Sequence, residues 1–194
     1  MGFRGLDYYQ VDELYTDDER MTRDTVRAFV QDHIMPIIGP AFREGKFPRE
    51  LVPMMGELGL LGMSLDGYGC AGMGPVHYGL ACQELERGDS GIRSFASVQS
   101  SLVMWPIHAW GSEEQKQKWL PSLATGKYIG CFGLTEPDFG SNPTGMRATA
   151  KRVDGGFVLN GEKRWITNGS MADVALVWAK LDGKVHGFLV HKGA

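Results

Sequence analysis

From about residue 16 to residue 125, apolar positions recur at helical spacing. Thr16-Asp-Asp-Glu19 reads as a capping box, and Met21, Val26, Phe29, Val30 and Ile34 follow it at mostly helical intervals. Pro36 and Pro40 are expected to break or kink that run. Pro48 suits a helix start, with Leu51, Met54, Met55, Leu58 and Leu61 on one face. Pro75 opens a further helix through Tyr78, Ala81, Cys82 and Leu85, stopped by Gly88. Ser90 to Trp110 is long and weakly charged, which predicts a buried helix. Ser112-Glu-Glu-Gln115 is a second capping box, opening a short helix with Trp119, Leu120 and Leu123 that ends at Gly126.

After Gly126 the pattern shortens. Tyr128 to Leu134, Thr149 to Val153, Phe157 to Leu159, Arg164 to Thr167, Val174 to Ala179 and Val185 to Val190 read as strands. Asp154-Gly155, Asn160-Gly161 and Asp182-Gly183 are hairpin-type dipeptides between them. The expected architecture is α+β and multidomain: a helical bundle over residues 1–126, then an antiparallel β-barrel or sandwich over residues 127–194.

Charge and composition narrow the chemistry. The net charge is −3 and the bases are interspersed with acids, so nucleic acid is not an expected partner. No apolar run approaches the ~20 residues of a membrane helix. The first residues lack the apolar stretch of a signal peptide and carry an acid early, unlike a transit peptide. Cys70, Cys82 and Cys131 are odd in number and widely spaced, which reads as packed, reduced thiols in a cytosol-like compartment. The histidines show no metal-ligand spacing, so zinc chemistry is not expected. Gly67-Tyr-Gly69-Cys-Ala-Gly72 matches the glycine pattern of a dinucleotide site. It lacks the preceding strand and an acid ending a following strand, and reads as a turn between helices.

The densest irregularity is Gly130 to Met146, with four glycines and two prolines. Two readings stand: a strand-to-loop transition without a ligand, or backbone N–H groups brought close to a ligand with Thr135 and Ser141 adding hydroxyls. In Lys163-Arg-Trp165-Ile-Thr167-Asn168, Trp165 offers a flat apolar face with Thr167 on the same side of an expected strand, or else packs in a core. An aromatic face with donors at its rim is what a flavin ring needs.

Phe132-Gly-Leu-Thr-Glu-Pro137, Gly140-Ser141 and Trp165-Ile-Thr-Asn168 resemble the flavin-contacting motifs of acyl-CoA dehydrogenases, in spacing and in order. The resemblance covers nearly the whole chain from about residue 15 onward. It implies FAD as cofactor, held by Phe132, Gly133, Leu134, Thr135, Gly140, Ser141, Trp165, Ile166 and Thr167. It implies an acyl-CoA substrate, an electron-transfer flavoprotein as acceptor, a homotetrameric full-length enzyme, and a cytoplasmic or mitochondrial-matrix setting.

Gly67 to Gly72, Glu84-Leu-Glu-Arg-Gly-Asp-Ser-Gly91 and the run from Arg93 to Met104 resemble the glutaryl-CoA dehydrogenase branch. There the arginine matching Arg93 faces the distal carboxylate, with serines matching Ser94 and Ser97 nearby, and Ser141 joins the substrate-binding set. The residues alone allow a plainer pairing of Arg93 with Asp89 one turn earlier. Asn142 and Phe139 depart from the family, which usually has Asp and a small residue there. The family's glutamate base lies in a C-terminal helical bundle, and no glutamate here matches it. The chain is therefore expected to be the front part of an enzyme, inactive alone, with a straight- or branched-chain acyl-CoA dehydrogenase or a catalytically inactive, truncated interaction module as the alternatives.

Overall fold

The computed structural model describes residues 8–194, which divide into two compact units. The first takes the described residues up to Leu51 together with Met73–Arg93. The second takes Val52–Gly72 and Ser94–Ala194.

In the first unit, α1 (Asp17–Phe29) starts on the expected capping box: Glu19 N donates to Thr16 Oγ1 and Thr16 N to Glu19 Oε2. It packs on α4 (Pro75–Gly88) through Val26, Phe29, Val30, Ile34, Leu80, Ala81 and Leu85, all buried. A Cβ at Gly88 would sit 2.7 Å from Val30 Cγ1, so glycine sets how closely these elements meet. Glu84 lies inside this packing, bridged by Arg27 at 2.7 Å and Arg87 at 2.9 Å. α2 spans Met35–Glu44; α3 (Leu51–Glu57), which beyond Leu51 belongs to the second unit, starts three residues after the expected Pro48.

The prolines do not break the first helical run. A π turn, Val30–Ile34, precedes Pro36, and the Met35 N–H reaches back five residues to the Val30 carbonyl. The run from Ser90 to Trp110 repeats the device: α5 (Ser90–Ser97), a π stretch Val98–Met104, then α6 (Trp105–Trp110) with Pro106 in its first turn. Proline lacks an N–H and its ring crowds the carbonyl four residues back, and a widened turn accommodates both. This run is not buried all round: Leu102, Trp105 and Trp110 are exposed, with Trp110 at 69%.

The second unit has its main core where Val98, Val103, Met104 and Ile107 meet Trp119, Leu120 and Leu123 of α7 (Glu113–Ala124) and Val174. A buried amide pins this core to the sheet. Gln99 Nε2 donates to the carbonyls of Leu123 and Tyr128, and its Oε1 accepts the Gly130 N–H at 2.8 Å.

Among the described residues the five strands are β1 (Gly130–Gly133), β2 (Thr149–Val153), β3 (Gly156–Asn160), β4 (Val174–Leu181) and β5 (Lys184–His191). β5 runs antiparallel to the whole of β4. On the other edge of β4, β1 pairs in parallel from Gly130↔Val174 to Gly133↔Val177, and β2 joins in parallel at Thr149↔Lys180. The sheet is therefore mixed and open, which corrects the expected antiparallel barrel or sandwich. Two of the three hairpin dipeptides turn as expected, Asp154-Gly155 and Asp182-Gly183. Asp182 and Gly183 both have positive φ (51° and 79°), as a two-residue hairpin loop demands. Asn160-Gly161 does not turn the chain back. Gly161 lies so close to Ala148 that a Cβ would meet its Cα at 2.7 Å, and the chain leaves the sheet until β4. That excursion lets β4 return parallel to β1.

Candidate functional site

The site is built where the loop after β1 meets the segment before β4, both in the second unit. Phe132, Leu134, Thr135, Trp165, Ile166 and Thr167 line one cleft of about 260 Å³, closed on the helical side by Val98 and Leu102. Residues expected from two separate motifs are thus brought together.

The strand expected over Arg164–Thr167 is absent: these residues form a loop and turn, and Trp165 has φ 59°. A bulky residue in the left-handed region is uncommon and needs its neighbours to hold it there. Its indole is 81% exposed, with the Arg164 guanidinium 4.9 Å from the ring centre. Core packing for Trp165 is therefore excluded.

The loop is tied at several points. Arg164 N donates to the Thr135 carbonyl at 2.8 Å, and Lys163 Nζ to the Leu134 carbonyl at 3.0 Å. Asn168, buried and itself at φ 67°, donates through Nδ2 to the Gly130 carbonyl at 3.1 Å. Gly133 lies beneath, and a Cβ there would touch Lys163 Cγ and Val177 Cγ2, both at 3.5 Å.

Gly140 and Ser141 do not line this cleft. They sit on the exposed part of the loop after β1. Phe139 lies against Gly145, where a Cβ would fall 2.4 Å from the ring, so this departure from the family pattern is accommodated by a glycine six residues on. Asn142 Oδ1 accepts from Thr144 Oγ1 at 2.8 Å, a bond within the loop.

Arg93, Ser94 and Ser97 lie on α5. Arg93 pairs through Nε with Glu86 Oε2 at 2.5 Å, and the Asp89 side chain accepts the Ile92 N–H at 2.9 Å. Glu86 also accepts Ser90 Oγ at 2.5 Å, and bonds from Ser90 and then Arg93 hold its pKa below the ordinary value. Ser97 Oγ donates to the Ser94 carbonyl at 3.1 Å.

The site also holds a pair that the motif search did not single out. Glu136 is buried and accepts from Lys163 Nζ at 2.9 Å, Arg147 N at 2.6 Å and Ala148 N at 2.9 Å. Burial pushes its pKa up, and these donors outweigh that and leave it lowered. The available signal was an acid between threonine and proline in a glycine-rich loop, and a lysine two residues before the tryptophan. The thiols are not candidates for chemistry: burial pushes Cys70 up to about 11 and raises Cys82 and Cys131. No helix among the described residues is long and apolar enough to cross a membrane.

Two family models match the chain. Residues 16–127 match the acyl-CoA dehydrogenase N-terminal domain, and residues 131–194 match the acyl-CoA dehydrogenase middle domain. A glutaryl-CoA dehydrogenase of Mycobacterium smegmatis, solved in complex with FADH2, superposes with a TM-score of 0.94 at 56% identity, over 96% of this chain and 48% of that one. An acyl-CoA dehydrogenase of Bacillus anthracis complexed with FAD gives a TM-score of 0.87 at 34% identity, over 97% and 34%. The short-chain specific acyl-CoA dehydrogenase of Bos taurus is 39% identical over 180 residues, which is 92% of this chain and 43% of that protein. The chain spans about half the length of the curated relatives it matches.

Proposed function

Because the chain belongs to the acyl-CoA dehydrogenase family, we propose that it supplies the flavin-holding part of an FAD-dependent enzyme that dehydrogenates a CoA thioester between its α and β carbons. Residues 1–126 would be its helical domain and residues 127–194 its flavin-contacting domain. The observation that carries this reading is the outward-facing indole of Trp165, held at positive φ beside Thr135 and Thr167 in one cleft. A planar amphipathic ring fits that lining: Trp165 offers a flat face, and the two threonine hydroxyls can serve a polar edge. Phe132, Leu134 and Ile166 add apolar surface to the same lining. When bound, FAD accepts the β hydrogen as hydride.

The substrate proposed is glutaryl-CoA, converted to crotonyl-CoA with loss of CO2. Arg93 would recognise the distal carboxylate, Ser94 and Ser97 would flank it, and Ser141 would contribute to substrate binding. The high identity to a mycobacterial glutaryl-CoA dehydrogenase supports this. An electron-transfer flavoprotein would accept the electrons, and the whole enzyme would be a homotetramer. No glutamate of this chain matches the family's base, so the chain alone is expected to show negligible turnover and weak or no FAD binding.

One observation favours a second reading, a straight- or branched-chain acyl-CoA substrate: the Arg93 charge is already met by Glu86. Thermal-shift titrations with glutaryl-CoA and butyryl-CoA separate the two. A larger shift with glutaryl-CoA that disappears in Arg93→Ala supports the first, and equal shifts overturn it. FAD titration followed at the Trp165 indole N–H by NMR tests the cofactor site. A saturable change there that Trp165→Ala removes supports it, and changes confined to other tryptophans sink it.

A further inference from the structure

The geometry points to Glu136 and Lys163 as positioning residues that set the distance and orientation between Thr135 and Trp165, and so prepare the cleft for its planar ligand. This deepens the flavin reading and rests on it only for the identity of that ligand.

The Lys163 ammonium donates into the loop after β1. One bond goes to the carbonyl of Leu134 at 3.0 Å, and another to the carboxylate of Glu136 at 2.9 Å. These residues flank Thr135, whose own carbonyl takes the Arg164 N–H at 2.8 Å. Residues 134, 135 and 136 are therefore gripped one after another by residues 163 and 164, and the next residue in the second segment is Trp165. A single rigid patch of backbone carries both the hydroxyl and the indole.

The far side of the grip closes the loop. Glu136 receives the backbone N–H groups of Arg147 and Ala148, where the chain returns to enter β2. Ala148 is fixed to the sheet through its carbonyl, which accepts the Lys180 N–H at 2.9 Å. The exposed tip bearing Gly140 and Ser141 thus rises from a closed base, and it can move without carrying Thr135 along.

The pair is nearly dry, with side-chain exposures of 12% for Lys163 and 4% for Glu136. A buried ion pair is weak evidence for stability, because desolvation offsets most of the attraction; its best-attested use is to fix a register. Here the register fixed is that of the two cleft-lining segments.

Hydrogen exchange and FAD titration on this chain test the proposal. In Lys163→Met, exchange at the Arg147, Ala148 and Arg164 amides should accelerate at least about tenfold, while the Val177 amide in β4 stays protected. FAD binding, read at the Trp165 indole N–H, should weaken about tenfold, and Lys163→Arg should restore most of both. The double variant Glu136→Gln with Lys163→Met should recover the thermal midpoint without recovering FAD affinity, which a merely structural pair would not do. Unchanged exchange in Lys163→Met and in Glu136→Gln overturns the proposal, as does FAD affinity that simply follows the thermal midpoint. If the native chain alone binds no FAD, the exchange pattern decides the clamp by itself.

Discussion

Two buried carboxylates in this chain look alike by burial and behave differently by partner. Glu84 has 1% side-chain exposure and is bridged by Arg27 and Arg87, side chains on α1 and α4. Glu136 has 4% and is bridged by one lysine and two backbone N–H groups at the mouth of a loop. The first ties regular elements that already pack through Val26, Phe29 and Leu85. The second ties irregular backbone with no ladder of its own. A buried acid between helices is a matter of global stability, whereas a buried acid at a loop base decides local geometry.

The largest effect should come from Glu84→Ala, which strands two guanidinium groups, Arg87 at 24% exposure and Arg27 at 48%. Urea unfolding should show a loss of about 3 kcal/mol. A loss under about 1 kcal/mol would break the comparison. Glu136→Ala should cost less in total, about 2 kcal/mol for the unpaired N–H groups and lysine. Its signature is exchange, with Arg147 and Ala148 opening while α1 and α4 amides stay protected. Acid sharpens the contrast. Both carboxylates sit below the ordinary 4.5: burial opposes this in each, Arg27 and Arg87 outweigh it at Glu84, and Arg147 N, Lys163 and Ala148 N outweigh it at Glu136. Their stabilisation is complete above about pH 4.5 and is lost as the pH falls through the depressed folded values. Thermal midpoints from about pH 6 to about pH 3 should drop, and Glu84→Gln should flatten that slope. Thr16→Ala is the smallest step and the control: about 1 kcal/mol from a lost helix cap, with no change at Arg147 or Ala148.

Local signals in the sequence were strong where chemistry is local. Both capping boxes formed, Thr16 with Glu19 and Ser112 with Gln115, because each needs only four consecutive residues. Asp154-Gly155 and Asp182-Gly183 turned the chain for the same reason. What was not legible depends on distant partners. The parallel pairing of β1 with β4 needs the intervening excursion, and the grip of Lys163 on Glu136 joins residues 27 apart. The Trp165 segment misled because tryptophan, isoleucine and threonine favour strands, while three tertiary bonds hold this one as a loop. The motif residues were readable as a set, and the cleft gathers six of them, but the positive φ at Trp165 is a property of the fold.

The wide turn at Val98–Met104 acts as a phase shifter. In an ordinary helix each residue advances the azimuth by about 100°. Accommodating the extra residue there leaves Ile107 in the core and both Trp105 and Trp110 outside it. At unchanged pitch, deleting one residue from that turn would rotate everything downstream by about a quarter of a circle, driving Trp105 toward the space that buried Met104 fills. The length of this short stretch is thus under tighter constraint than its composition, and a one-residue deletion should harm the chain more than most substitutions at the same positions.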